Sequence, residues 1–196
     1  NEEIKKHREE VAAAILLELH TWQKYQCFSR KLRKVARNII DTRWVLKWKY
    51  EADPATGIKR RIIRARLCVR GFKDLDASGL ASYAGTSKRY SQRMLVSEAV
   101  QRGWDLCTSD INKAFLQGVT YEELAKITGE PLREVNFYLP PYCIPLLRQI
   151  PGWEGFDPTK EVIHCIKPGT GCNDAPRCFS IKLAKVTKDL CKMKAC

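Results

Sequence analysis

Between residues 43 and 70 the chain alternates between apolar and polar positions. Trp44, Leu46, Trp48 and Tyr50 fall on one side of an extended segment, and Arg43, Val45, Lys47 and Lys49 on the other. A period of two predicts a half-buried strand over 43–50. The segment 58–70 alternates again, with Ile63, Ala65, Leu67 and Val69 opposite Arg60, Arg64, Arg66 and Arg70. Asp53, Pro54, Ala55, Thr56 and Gly57 between them have turn chemistry, so the two strands make an antiparallel hairpin with one basic face.

Elsewhere the period changes. Ile4, Val11, Ile15, Leu16 and Leu19 recur at helical spacing, with Glu2, Glu3, Glu9 and Glu10 toward the N-terminal half, so residues 2–26 read as an amphipathic helix. Residues 74–89 are rich in Gly, Ser and Ala and read as a loop. A helix over 91–102 follows, with Met94, Leu95, Ala99 and Val100 apolar and Gly103 as its stop. The stretch from Leu106 to Gly118 reads as a short buried strand ending on Asp110, then a tight segment. Trp104, Leu106, Thr108 and Asp110 would share one face of that strand, and Asp105, Cys107, Ser109 and Ile111 the other.

Thr120 and Glu123 bracket a capping box, so a helix runs to about Thr128 and stops at Gly129, Glu130 and Pro131. Strands are predicted over 134–139 and 161–167. The Pro- and Gly-rich loop between them holds Trp153 and Phe156, as core or as a stacking surface, with core favoured. After a Gly-rich turn, Pro176 opens a helix in which Phe179, Leu183, Val186 and Leu190 are spaced to pack.

At 196 residues the chain is one domain or two small lobes. Its net charge of +13 points to a polyanionic partner. Residues 30–73 hold fifteen Lys and Arg against Asp41, Glu51 and Asp53, which places twelve of the thirteen net charges there. No apolar run is long enough to span a bilayer, and the first residues, which lack an initiator Met, are not a signal peptide. The expected location is intracellular, cytoplasmic or nuclear, rather than secreted. The nine cysteines are scattered and include no Cys-x-x-Cys pair, which reads as reduced thiols without disulfide partners; a metal-binding cluster of Cys165, Cys172 and Cys178 is a minor alternative.

Two constellations carry candidate chemistry. Asp110 ends an apolar strand, where a metal can reach it, and Phe115 is close enough to wall the same pocket; alternatively the acid simply caps the next turn. Arg64 and Arg66 lie roughly 6.6 Å apart on one strand face. Their guanidinium forks could grip neighbouring phosphates, or form a solvated basic face.

The segment Ser109-Asp-Ile-Asn-Lys-Ala-Phe-Leu-Gln-Gly118 resembles the first catalytic motif of copia-type retrotransposon reverse transcriptases. Other blocks resemble the same family in order: Arg43–Phe72 its fingers hairpin, Arg102–Leu106 its Gly-Trp entry, Val135–Pro141 its Val-Tyr-Met-x-x-Pro-Pro, and Gly171 with Ala175, Pro176 and Arg177 its Gly-x-x-x-Ala-Pro-Arg block. The likeness runs from about Arg37 to Leu190. It implies an α+β fold, the fingers and partial palm of a right-hand polymerase, with an antiparallel sheet and packed helices. Residues 1–36 would be a helical lead-in and 37–196 an incomplete fingers and palm.

The resemblance further implies two-metal nucleotidyl transfer onto a primer 3′ hydroxyl, with Mg2+ as cofactor. Asp110 would be one catalytic carboxylate and metal ligand, and the Ile111 carbonyl a second ligand. Arg64 and Arg66 would hold the nucleotide triphosphate, Phe115 would face the sugar, and Gly171 would border the base pair. Lys47, Lys49, Arg60, Arg70 and Arg177 would contact nucleic acid. The implied partners are an RNA template, a DNA primer, deoxynucleotides and the rest of a Pol polyprotein, with no membrane. The family's Tyr-x-Asp-Asp hairpin is missing, since the chain holds no Asp-Asp pair, so the expectation is weak binding without polymerisation. Asp174 stands where the family has Gln, and a negative charge beside a polyanion would weaken binding. The alternatives are a non-catalytic nucleic-acid-binding module or a decayed retroelement fragment.

Overall fold

The hairpin expected between 43 and 70 is the longest feature of the computed structural model, which describes residues 2–53 and 56–192. Strand β2 spans Ile39–Ala52 and β3 spans Lys59–Val69, antiparallel, with Lys47 opposite Arg64 and Val45 opposite Arg66. Ala65, Leu67 and Val69 are buried while Arg64 and Arg66 are exposed, as the alternation requires. Pro54 and Ala55 of the turn, like Cys196, lie outside the described residues.

The N-terminal helix is two helices, α1 (Glu2–Lys6) and α2 (Arg8–Lys24), broken at His7. Val11, Ile15, Leu19 and Trp22 are buried on one face of α2, and Ile4 stays outside. The chain then enters β1 (Phe28–Leu32). Residues 2–36 are therefore more than a helical lead-in: they supply a strand and one wall of the common core.

Strands β4 (Asn136–Tyr138) and β5 (Glu161–Cys165) complete a five-stranded sheet in the order β1-β5-β4-β2-β3. The sheet is mixed rather than antiparallel. The root of β2, Ile39–Asp41, runs parallel to β4, a pairing made possible by the long crossover between them. Trp22, Phe28, Phe137, Trp153 and Phe156 form a chain of ring contacts 5.0–6.2 Å apart beneath it, so the last two are core. Helix α4 (Tyr121–Thr128) has both halves of the capping box: Glu123 N donates to Thr120 Oγ1 at 3.0 Å, and Thr120 N donates to Glu123 Oε2 at 2.9 Å. Short α5 (Ile144–Leu147) lies in the loop before β5.

Three expectations need correction. Residues 104–111 are not a strand but exposed chain without regular structure. A strand needs a neighbour for its N–H and C=O groups, and no described strand lies beside this one. Helix α3 (Arg89–Arg102) ends on Gly103 as expected, but Met94, Leu95 and Val100 are exposed and only Ala99 is buried. In α6 (Ala175–Asp189) the buried side chains are Ala175 and Cys178, whereas Leu183 and Leu190 face outward.

The turn before α6 docks on the end of β3. Val69 N donates to Thr170 O at 2.9 Å and Gly71 N to Gly171 O at 3.1 Å. Gly171 has φ +96°, and a Cβ there would sit 2.1 Å from the Val69 carbonyl oxygen. Gly171→Ala is therefore expected to destabilise the fold by about 2–4 kcal/mol, through backbone strain and overlap. A thermal melt lower by roughly 5–10 °C would register it; an unchanged melt would show that the turn can lift off β3.

Candidate functional site

On the exposed face of the hairpin, Arg64 and Arg66 project side by side next to Lys49. Neither arginine has an acidic partner among the described residues, so both forks remain open to an anion. The facing wall comes from residues 110–116. Leu116 is buried and anchors a 3₁₀ turn, Ala114–Gln117, and its carbonyl accepts from Cys27 Sγ at 3.5 Å. Gly118 follows with no side chain; a Cβ would lie 3.2 Å from Cys178, so the turn can pass close over α6.

These walls enclose a cleft of about 380 Å3. Arg64, Arg66, Lys49, Asp110, Ile111 and Phe115 all line it, together with Thr170, Glu18 and Lys113. Residues some 40 positions apart in sequence thus share one space. Asp110 is exposed on the irregular segment before the turn and Phe115 is 37% exposed.

The other expected contacts fall elsewhere. Gly171 packs on Val69, and its neighbour Thr170 lines the cleft instead. Arg70 is held by Asp41 at 3.0 Å, an acid that also takes Lys73. Arg60 lies near the hairpin tip, 3.9 Å from Asp53. Lys47 borders a separate 310 Å3 hollow between the hairpin and α1. Arg177 donates through both terminal nitrogens to Glu130 at 2.9 Å, so its fork is already occupied.

Asp174 does not line the cleft. It is buried, with Arg133 Nε 2.8 Å from its Oδ2 and the Tyr121 hydroxyl donating to its Oδ1 at 3.4 Å. Arg133 Nη2 also donates to buried Asp74 at 2.6 Å, and Asn38 Nδ2 donates to the same carboxylate at 2.9 Å. The Asp174 carboxylate is thus turned into the protein, against Arg133, and not toward the cleft.

Two cleft residues escaped the sequence reading. Glu18 had a signal: it is a charged residue on the buried face of α2, between Ile15 and Leu19. Lys113 had none, because only the fold brings it to Glu18, with which it forms an ion pair.

The donor set does not suit a pair of divalent ions. Asp110 and the Ile111 carbonyl are two oxygens where a hard cation takes six or more. Glu18 is already engaged by Lys113 and by Trp22 Nε1 at 3.3 Å. Among the described residues no group of three or more His, Cys, Asp and Glu is placed to hold a metal. Cys165, Cys172 and Cys178 are buried thiols; burial pushes Cys178 up to about 12, and the hydrogen bond its thiol donates to Cys172, with burial, raises Cys165. A protonated thiol is a poor ligand. No helix is long and apolar enough to cross a membrane, among the described residues.

Comparison with known proteins gives distant relatives. The chain is 26% identical over 146 residues to the retrovirus-related Pol polyproteins from transposons RE2 and RE1 of Arabidopsis thaliana. The alignment covers 74% of this chain and 8% of each relative, so the chain spans a small part of the curated relatives it matches. No protein-family model matches it and no solved structure matches it. The similarity supports an origin in a retrotransposon Pol polyprotein.

Proposed function

We propose that the chain is the fingers and partial palm of a copia-type, RNA-directed DNA polymerase, and that its cleft receives the incoming deoxynucleotide. The observation that carries this reading is the convergence of Arg64, Arg66, Asp110, Ile111 and Phe115 on one space. Arg64 and Arg66 neutralise the triphosphate, with Lys49 beside them. Phe115 offers an apolar surface to the sugar. Asp110 supplies one carboxylate beside the polyphosphate. The remaining catalytic acids come from a downstream part of a Pol polyprotein, so this chain binds nucleotide weakly and does not polymerise.

Primer extension on an RNA template, with magnesium and deoxynucleotides, tests the proposal. It compares this chain alone with the chain joined to the downstream segment of a related Pol polyprotein. Incorporation only by the joined chain supports the reading, and incorporation by the 196-residue chain alone overturns the need for further acids. In the joined chain, Asp110→Asn is expected to cut incorporation by about 10²–10³-fold or more while primer–template retention stays unchanged.

A second reading, a non-catalytic nucleic-acid-binding module, is favoured by the lone carboxylate on an unpaired segment beside a basic hairpin. It predicts that neither chain incorporates nucleotide, that both retain primer–template at low salt, and that Asp110→Asn changes nothing.

A further inference from the structure

Glu18 is the least expected residue of the cleft. Its carboxylate, 4% exposed, sits on the apolar face of α2 and pairs with the Lys113 ammonium, 95 residues along the chain. A carboxylate buried this deeply costs desolvation unless its partners are well placed. Here they are the ammonium and the Trp22 indole N–H.

Lys113 is unusual for a second reason. Its backbone is left-handed, with φ +54°, in a residue that has a Cβ. Such a conformation persists only where the surroundings over-determine it. Two restraints do so: the ammonium is tied to Glu18, and the Lys113 carbonyl accepts from Leu116 N at 2.9 Å, with the Leu116 side chain buried. Phe115 lies between these anchors. The direction in which its ring enters the cleft follows from the torsions at Lys113.

We propose that Glu18 is a positioning residue of this cleft: through Lys113 it fixes the turn that presents Phe115, and so sets how the cleft distinguishes a deoxyribose from a ribose. The inference rests on the nucleotide reading above. The N-terminal helix is then part of the selectivity apparatus rather than a support beneath it.

Equilibrium binding of dATP, ATP and inorganic tripolyphosphate separates the two ideas. It is measured on the wild-type chain, on Glu18→Gln and on Lys113→Gly. The glycine keeps the left-handed backbone at little cost and deletes the ammonium, so it breaks the pair without adding strain. Both variants are expected to lose about tenfold of the preference for dATP over ATP. In Glu18→Gln the tripolyphosphate affinity is expected not to fall, because Arg64 and Arg66 are untouched and a negative charge leaves the cleft; Lys113→Gly, which strips Glu18 of its cation, is read on the ratio of dATP to ATP alone. Amide exchange at Leu116 should quicken in both.

Unchanged sugar preference in folded Glu18→Gln and Lys113→Gly overturns the inference. So does a wild-type chain that binds tripolyphosphate without preferring dATP, which would leave the nucleotide reading standing. A wild-type chain that binds no tripolyphosphate overturns both.

Discussion

Replacing Arg133 by alanine is expected to lower the melting temperature by about 10 °C, and by less at pH 5 than at pH 8. Arg133 is 10% exposed and stands between Asp74 at 2% and Asp174 at 1%. Removing one partner of a buried ion pair costs about 3–5 kcal/mol, since the other charge stays buried and uncompensated. In a chain of this size each kcal/mol moves the melt by roughly 2–4 °C. Here one cation serves two buried carboxylates, so the upper part of that range applies.

The pH dependence follows from the carboxyls. Burial pushes Asp74 up, but hydrogen bonds from Arg133, the Asp76 backbone and Asn38 outweigh it and hold it below the usual range. Its stabilisation is present above the ordinary carboxylate pKa and is lost as the pH falls through the lowered value. Burial dominates at Asp174 and raises its pKa despite Arg133, so its ionised form costs stability and acid relieves that cost. Without Arg133 both carboxyls rise, and protonation removes the orphaned charges. The gap to wild type therefore closes toward pH 5 in a melting series. A gap that stays the same from pH 8 to pH 5 would show that Arg133 matters for packing alone. Changing Arg133→Met, Asp74→Asn and Asp174→Asn together should recover much of the loss, since no buried charge remains.

The double variant Arg64→Ala and Arg66→Ala is expected to weaken tripolyphosphate binding by about 10²-fold or more while the melt stays within about 1 °C. Each guanidinium makes hydrogen bonds to a charged acceptor, worth about 1.5–3 kcal/mol. Both side chains are exposed and without acidic partners among the described residues, so little stability goes with them. Arg60→Ala and Lys47→Ala are the contrast, because both carry charge on the hairpin but lie outside the cleft. If all four substitutions weaken binding alike, the hairpin acts as a diffuse basic surface and the cleft has no special role. Titration calorimetry at low and high salt measures both cases.

What could be read from the sequence was what local physics decides. The period of two over 43–70 reveals the hairpin and the pairing of Arg64 with Arg66, because alternation is a property of the strand itself. The capping box at Thr120 is legible for the same reason: donor and acceptor are three residues apart. Trp104–Ile111 has strand-like alternation yet stays unpaired, since a strand is a relation between two segments. Asp174 reads as an acid beside a polyanion until the fold turns it toward Arg133, a partner some 40 residues earlier. Glu18 sits on the wrong face of an amphipathic helix, and that mismatch was the visible sign of a buried pair.

Strand β2 has a mechanical consequence for the cleft. Its root, Ile39–Asp41, is locked into the sheet by β4, and the end of β3 is pinned there by Thr170 and Gly171. Beyond Thr42 the hairpin is propped a second time: Ala65 and Leu67 are buried in the common core, and Trp48 Nε1 donates to Glu3 Oε1 at 2.7 Å. Lys47, and Arg64 beside it, stand about 17 Å from the root, between these two supports, and the tip at Ala52 about 33 Å. Only the outer end, residues 50–52 and 59–61, is exposed throughout and overhangs. Bending is thereby confined to the tip, and Arg64 and Arg66 stand on the part of the hairpin held from both ends.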